Sequence, residues 1–149
     1  MKTYVCLCCQ KETKKASNKK NKYCSHMCQK THEYNEFIKR WKLGLEEGLK
    51  GLSQTSGYIR RYISEKFNDT CQECGQTNVY NDKPLTLQLE HCDGNSRNNK
   101  EENLSLLCPN CHTQTPYYGS KNKGRGRGSL LKELSGYIGQ GASSGLPNR

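Results

Sequence analysis

The sequence is poor in the large apolar side chains that build a protein core. Among 149 residues there are two Phe, one Trp and two Met, and hydrophobic residues make up 32% of the chain. A short chain with so little apolar surface to bury gains limited stability from packing alone. Cross-links or bound metal ions are therefore expected to supply part of the stability.

Long apolar runs are also missing, and two kinds of segment are thereby excluded. No stretch approaches the roughly 20 apolar residues that a membrane-spanning helix needs. Residues 1–10 lack the apolar run of a secretory signal, and the residues that follow are rich in Lys and Asn. We therefore expect a cytoplasmic protein that does not contact a membrane.

Acidic residues are few in comparison with basic ones. The chain has 14 Asp and Glu against 24 Lys and Arg, which gives a formal net charge of +10. This balance favours a polyanionic partner such as nucleic acid, although many basic proteins only carry a solvated surface.

Cysteine, in contrast, is abundant, and most of the ten cysteines occur in closely spaced pairs. In a reducing cytosol such pairs favour metal ions over disulfides. The spacing predicts two structural zinc sites with four thiolates each. The predicted ligands are Cys6, Cys9, Cys24 and Cys28 for the first site, and Cys71, Cys74, Cys108 and Cys111 for the second. Cys8 is an alternative to Cys6 or Cys9, but the spacing of Cys6 and Cys9 suits a zinc knuckle better.

The apolar pattern predicts two helices in the first half of the chain. The first runs from Ser25 to Trp41, with Ser25 as its N-cap and apolar residues at helical spacing. The second runs from Ser56 to Phe67. The stretch between them, residues 42–57, is rich in glycine and has no clear period, and we interpret it as a loop or linker.

The second half alternates between strand and loop signals. Leu85, Leu87 and Leu89 alternate with polar residues, which predicts a strand. A polar loop over residues 93–99 and a second strand around residues 104–107 follow. Pro109 then suits the first position of a short helix.

Three stretches of this half resemble the HNH endonuclease family, and the resemblance covers about residues 68–118. It is specific because the cysteine pairs, the Asp-Gly-Asn turn and the spacing coincide: Asn103 follows His91 by 12 positions, and His112 follows Asn103 by nine. The stretches are Leu89-Glu90-His91-Cys92-Asp93-Gly94-Asn95, Glu102-Asn103-Leu104 and Leu107-Cys108-Pro109-Asn110-Cys111-His112.

The resemblance implies a ββα-metal fold, in which two antiparallel strands and a helix surround one divalent cation. By position, His91 matches the general base, while Glu90 and His112 match ligands of the catalytic metal. Asn103 matches the middle asparagine, which pins the loop, orients the base or, in some members, binds metal. Two residues depart from the pattern: Asp is commoner than Glu at position 90, and the position of Cys92 is usually aliphatic.

The activity that the resemblance implies is metal-dependent hydrolysis of double-stranded DNA to a 5′-phosphate and a 3′-hydroxyl. The catalytic ion, Mg²⁺ or Mn²⁺, would be separate from the two structural zinc ions. A monomer with one active centre would nick one strand, and a dimer would cut both. Free-standing members of this kind are phage and homing endonucleases, which act in the cytoplasm of bacteria or phage-infected cells.

Other interpretations remain open at this point. His112 could cap the helix or bind the structural zinc, and Glu90 could be a solvated strand carboxylate. We expect Asn99, like the other asparagines of its loop, to shape a turn rather than to contact substrate. A rival function is a non-catalytic zinc protein that binds nucleic acid, as a regulator or a packaging accessory.

We therefore predict a small zinc-stabilised α+β protein. Its parts are an N-terminal zinc knuckle (1–33), a helical connector (34–67), an HNH module (68–118) and a basic, partly disordered tail (119–149). The zinc knuckle is a DNA reader or only a fold nucleus, and we favour DNA contact because lysines crowd its loop: Lys14, Lys15, Lys19, Lys20 and Lys22. Elsewhere the candidate DNA-contacting residues are Arg60, Arg61, Lys121, Lys123, Arg125 and Arg127, although Arg60 and Arg61 could simply form a solvated helix face.

Overall fold

The computed structural model describes residues 2–14, 21–52, 54–122 and 132. The chain divides into two compact units, Met1–Glu46 and Glu47–Arg149. The boundary falls inside the predicted connector (34–67). The first predicted helix therefore belongs to the unit with the zinc knuckle, and the second predicted helix belongs to the unit with the nuclease-like module. Most of the basic tail lies outside the described residues, including Lys123, Arg125 and Arg127, and so do Lys15, Lys19 and Lys20 of the knuckle loop.

The first unit begins with a hairpin of strands β1 (Thr3–Val5) and β2 (Glu12–Lys14), which pair in antiparallel register. The first cysteine pair lies in the connection between them. There the backbone folds tightly, with the Cys6 N–H donating to the Lys11 carbonyl at 3.0 Å and the Gln10 N–H donating to the Cys6 carbonyl at 3.0 Å.

Helix α1 (His26–Lys42) confirms the first predicted helix. Ser25 caps it, because its hydroxyl oxygen accepts the Cys28 N–H at 3.1 Å and so satisfies a backbone donor that has no partner within the helix. The predicted apolar stripe faces inward, with Tyr34, Ile38 and Trp41 buried.

The second unit opens with a small hairpin, which lies in the segment (42–57) that we predicted to be a loop or linker. Strands β3 (Leu49–Lys50) and β4 (Gln54–Thr55) pair in antiparallel register. Strands of two residues are too short to produce a period, so the pattern gave no sign of them. Helix α2 (Gly57–Lys66) follows as predicted, capped by Ser56, and packs against the second strand of the nuclease-like module.

Next come a knuckle that holds Cys71 and Cys74 and a hairpin of strands β5 (Val79–Tyr80) and β6 (Lys83–Pro84). The strand predicted from Leu85 onward begins three residues later, which corrects that prediction. Leu85 and Leu87 instead pack against a small core made by Cys71, Leu107 and Cys108. Their alternation therefore reflects contact with the core around the second cysteine cluster rather than pairing in a sheet.

The module itself consists of strands β7 (Gln88–His91) and β8 (Leu104–Leu107) and helix α3 (Pro109–Gln114). The strands are antiparallel, with His91 opposite Leu104, and α3 contacts both of them. This arrangement confirms the predicted α+β class and ββα module. None of the described helices has the length and apolar composition needed to cross a membrane.

Candidate metal centres and candidate active site

The structure brings together the thiols of Cys6, Cys9, Cys24 and Cys28, whose sulfur atoms all lie within 4.8 Å of one another. The Cys9 and Cys24 sulfurs are 3.6 Å apart, and those of Cys24 and Cys28 are 3.4 Å apart. Thiolates on a tetrahedral zinc, each at about 2.3 Å, are separated by about 3.8 Å. The donor set therefore fits Zn²⁺, and Cys8 lies outside the group.

A second group forms in the same way between the knuckle and helix α3. The sulfurs of Cys71, Cys74, Cys108 and Cys111 lie within 4.8 Å of one another, and the Cys74 and Cys108 sulfurs are 3.7 Å apart. Gly75 follows the first pair with a φ of +75°, a conformation that glycine adopts without strain. Both groups are compatible with structural zinc, and His112 belongs to neither.

The pKa values within the clusters shift in opposite directions. Hydrogen bonding from the backbone N–H of Cys9 lowers the pKa of Cys6 to about 6. Burial acts to raise the pKa of Cys71, yet neighbouring backbone N–H groups lower it to about 6. Hydrogen bonding with the Cys28 thiol, in contrast, raises the pKa of Cys24 to about 12. Crowded thiols resist full ionisation, and a central divalent cation is what allows all four to bind as thiolates.

Glu90 and His112 meet beside the second cluster. The Glu90 Oε2 and His112 Nε2 atoms are 2.7 Å apart, and Glu90 is only 8% exposed. Burial of Glu90 argues against the alternative of a solvated strand carboxylate. A carboxylate and an imidazole on neighbouring elements form a mixed oxygen and nitrogen donor set, which fits a divalent cation of the Mg²⁺ or Mn²⁺ type.

The His112 ring is held in a defined orientation. Tyr118 contacts it edge-on, with ring centroids 5.1 Å apart and an interplanar angle of 84°. The other ring nitrogen, Nδ1, is buried and has no hydrogen-bond partner among the described residues. Nε2 is the ring nitrogen that lies next to Glu90, the other candidate metal ligand.

Asn103 pins the loop that connects the two strands of the module. Its side-chain oxygen accepts the Asp93 N–H at 3.0 Å, and its amide nitrogen donates to Asp93 Oδ1 at 2.9 Å and to the Asn98 carbonyl at 2.8 Å. Of the three roles that the resemblance allowed for Asn103, these contacts correspond to pinning the loop.

Asp93 is the centre of this loop. Partial burial acts to raise the pKa of its carboxyl group, but hydrogen bonds from the Asn98 side chain, the Asn95 N–H and the Asn103 side chain outweigh burial. The pKa of Asp93 is therefore held below its ordinary value, and the carboxylate organises the loop as a charged acceptor.

His91 lies at the end of β7, half-buried, and its Nε2 atom is 3.1 Å from the Asn99 side-chain oxygen. Asn99 is 3% exposed, and its oxygen also accepts a hydrogen bond from the Thr55 hydroxyl at 2.8 Å. Neither contact was predicted from the sequence. Thr55 lies 44 positions from Asn99 in a segment interpreted as a loop, and no local signal connects the two residues.

The candidate DNA-contacting residues of the second unit that the structure describes lie on α2 and in the segment that follows α3. Arg60 is exposed on α2, while Arg61 forms an ion pair with Glu65 at 2.7 Å. Lys121 is exposed and donates to the Thr113 carbonyl at 3.3 Å.

The first unit contains a groove of about 700 Å³ next to its cysteine cluster. Among the described residues, its lining contains three basic side chains and no acidic one. The lining residues are Tyr4, Thr13, Lys14, Asn21, Lys22, Tyr23, Cys24, Ser25, His26 and Gln29. A groove with this chemistry favours an anionic ligand.

The two antiparallel strands and the short helix, with a four-cysteine cluster at the start of that helix, form the ββα arrangement that the resemblance to HNH endonucleases implies. In agreement with this class, the chain is 54% identical over 55 residues to the H-N-H endonuclease F-TflIV of Escherichia phage T5, a match that covers 37% of this chain and 24% of that protein. It is also 31% identical over 97 residues to the Zorya protein ZorE of Escherichia coli, which covers 60% of this chain and 26% of that protein.

The match to the phage protein confirms the resemblance to HNH endonucleases in the part of the chain that aligns. The chain spans about a quarter of the length of the curated relatives that it matches. No family model matches the sequence, and no solved structure matches it significantly.

Proposed function

We propose that this chain is a metal-dependent DNA endonuclease of the HNH type, with His91 as its general base. The observation that supports this most directly is the buried pair of Glu90 and His112, 2.7 Å apart, on the same ββα module as His91. A protein that only binds nucleic acid has no need for a buried carboxylate, which repels phosphate. The similarity to a phage protein named as an H-N-H endonuclease supports the same conclusion.

The chemistry follows from the properties of these side chains. Glu90 and His112 would hold a divalent cation, and this cation would supply positive charge near the phosphoryl oxygens and the leaving 3′-oxygen. His91, as a neutral imidazole, accepts a proton from the attacking water near neutral pH. The new bond joins water oxygen to phosphorus and the bond to the 3′-oxygen breaks, so the products carry a 5′-phosphate and a 3′-hydroxyl.

The two cysteine clusters have a structural role in this proposal. Each holds one Zn²⁺ through four thiolates, which leaves no open position for chemistry. The second ion joins the Cys71 knuckle to the start of α3 and so fixes the helix that carries His112. Asn103 contributes by pinning the loop next to His91 rather than by touching the reacting atoms.

Double-stranded DNA is the proposed substrate, and a monomer with one active centre is expected to nick one strand. The formal charge of +10 and the groove lined by Lys14 and Lys22 support an anionic partner. Exposed Arg60 and Lys121, and Lys123, Arg125 and Arg127 of the tail, are the proposed backbone contacts of the second unit. The proposed location is the cytoplasm of a bacterial or phage-infected cell.

The experiment that tests this proposal is a plasmid assay with the purified, zinc-loaded chain. Supercoiled plasmid with Mg²⁺ or Mn²⁺ is expected to become open circles, and His91→Ala is expected to lower the rate by about 10²–10⁴-fold. His32→Ala is the matched control, because His32 lies on α1 against Tyr23 in the first unit. It should cut like the wild type.

The rival function, a non-catalytic zinc protein that binds nucleic acid, predicts a different outcome. The plasmid would shift in a gel in a salt-dependent manner but would stay supercoiled with every divalent ion. The endonuclease proposal is wrong if wild type and His91→Ala leave the plasmid equally intact across metals and DNA substrates.

A further inference from the structure

We propose that Asn99, supported by Thr55, is the residue that positions His91 and selects the tautomer of its ring. This inference rests on the proposed function for its catalytic meaning, but the structural part stands on contacts within the second unit. It assigns a role to two side chains outside the His91, Asn103 and His112 pattern.

The contacts of Asn99 determine which way its amide points. The Nδ2 atom lies 3.4 Å from the Glu47 carbonyl oxygen and 3.4 Å from the Arg97 carbonyl oxygen. Because carbonyl oxygens only accept hydrogen bonds, the NH₂ group must occupy this side of the amide. The amide oxygen is therefore directed toward Thr55 and His91.

The orientation of the amide in turn determines the tautomer of the imidazole. An amide oxygen has no hydrogen to donate, so the ring nitrogen 3.1 Å from it must carry one. The neutral His91 ring is therefore protonated at Nε2, and its lone pair is at Nδ1. A general base accepts its proton through such a lone pair, so the contact with Asn99 leaves Nδ1 as the basic atom.

Thr55 keeps the amide in place. Its hydroxyl donates to the Asn99 oxygen at 2.8 Å, and both side chains are buried, with 4% and 3% of their surface exposed. Buried polar groups that lose a partner are strongly disfavoured, so the amide has little freedom to rotate. Strand β4, which ends at Thr55, thereby acts as a support for the base on β7.

Asn103 does not take this role, because its amide is already used by the loop. Within the part of the chain that the structure describes, its three side-chain hydrogen bonds go to Asp93 and Asn98 and not to the His91 ring. Positioning of the base and pinning of the loop are thus divided between Asn99 and Asn103.

The first test is spectroscopic and does not depend on cleavage. Long-range ¹H–¹⁵N correlation of the zinc-loaded full chain, recorded at an alkaline pH above which the ring signals no longer change, reports which ring nitrogen is protonated. We expect wild-type His91 to be protonated at Nε2. Asn99→Ala should give a mixture of tautomers, whereas Asn98→Ala, the matched loss of an amide in the same loop, should leave the pattern unchanged.

The second test is kinetic. Asn99→Ala is expected to lower kcat for plasmid nicking by about 10–100-fold, with KM for DNA changed by less than about twofold, because partners that orient an active-site histidine have effects of that size. Thr55→Val should show a smaller loss of kcat, and Thr55→Ser, which keeps the hydroxyl, should restore the wild-type rate. Thr55→Val has nearly the shape of the wild type, so it tests the proposal even if Asn99→Ala fails to fold.

The outcomes separate this inference from the proposed function. Protonation of wild-type His91 at Nδ1, or an unchanged tautomer in both Asn99→Ala and Thr55→Val, overturns the role of Asn99 whether or not the protein cuts DNA. An Nε2 tautomer that depends on Asn99 in a protein that cuts no substrate supports the positioning and rejects the endonuclease.

Discussion

Glu90 lies near the end of strand β7 with its carboxylate directed at His112 and almost no access to water. A buried carboxylate is unfavourable unless hydrogen bonds, a positive charge or a metal ion compensate for the lost hydration. The imidazole of His112 alone compensates for only part of the hydration that the buried carboxylate loses. The environment of Glu90 is therefore the one expected of a metal ligand. A substitution at this position should weaken binding of the catalytic metal and leave the two structural zinc ions in place.

We expect Glu90→Gln to lower the rate of plasmid nicking at a fixed, low Mn²⁺ concentration by about 100-fold, because the amide keeps the shape of the side chain but removes the negative charge. The rate should partly recover at higher Mn²⁺, and the content of zinc should stay at two ions per chain. The measurement is the initial rate over a Mn²⁺ titration.

Glu102→Gln is the control for this substitution, since Glu102 is exposed on the short 3-10 turn before β8 and loses the same charge. If both variants show the wild-type dependence on Mn²⁺, Glu90 is not a ligand of the catalytic ion.

At the scale of elements, helix α3 and the loop before β8 are joined by the segment that follows the helix. The Tyr117 ring packs on Gly94, and the Asn122 side chain donates to the Gly94 carbonyl at 2.7 Å. A Cβ atom at Gly94 would lie 2.5 Å from Tyr117 Cγ, and the φ of Gly94 is +73°. The residue is thus constrained both by its backbone and by its neighbour.

We expect Gly94→Ala to destabilise the second unit through both backbone strain and crowding, whereas Gly119→Ala should cause backbone strain alone. Gly119 has a φ of +53° with nothing within 4 Å of its Cβ position, so alanine there should cost about 1 kcal/mol of unfolding free energy. Crowding against Tyr117 should add about 1–3 kcal/mol at position 94. Thermal unfolding of the zinc-loaded variants measures the difference, and equal losses would show that Tyr117 moves away at no cost.

Elements with a long apolar face could be predicted from the sequence, whereas the two-residue strands of the β3–β4 hairpin could not. Tyr34, Ile38 and Trp41 repeat over several turns of α1, so its position followed from the pattern. The β3–β4 hairpin has two residues in each strand and left no pattern. Leu85 and Leu87 placed the start of β7 three residues too early, because alternation reports which side chains are buried and not which backbone groups pair.

The candidate site shows the same division. The spacing of a family motif can be read directly from the sequence. It therefore allowed us to predict the cysteine groups and the positions of Glu90, His91, Asn103 and His112. The partner of His91 was not, since the contact between Asn99 and Thr55 depends on how β4 lies against the loop. Hydrogen bonds between distant segments are decided by tertiary packing.

For the molecule as a whole, the first prediction concerns zinc. We expect two Zn²⁺ per wild-type chain and one in Cys108→Ser, whose second cluster loses a thiolate. Cys108→Ser should also lose the cooperative unfolding of the second unit, because a structural zinc contributes directly to folding. Metal content measured by mass spectrometry under native conditions, together with calorimetry, tests both statements.

Cys8→Ser and Cys92→Ser are the matched controls, since neither thiol belongs to a four-sulfur group in the described part of the chain. Both should retain two zinc ions. A count of one ion in Cys8→Ser would show that Cys8 replaces a neighbour in the first cluster.

The chain enters and leaves the ββα module at nearly the same point, since residues 71–74 and 108–111 meet around one group of sulfurs. The segment between them is a closed loop, and residues outside it support it through the Thr55 contact with Asn99 and the Tyr117 contact with Gly94. A closed loop that carries these supporting contacts with it can be placed in proteins of different length. Matches that occupy only 24% and 26% of two longer proteins are what this kind of portability allows.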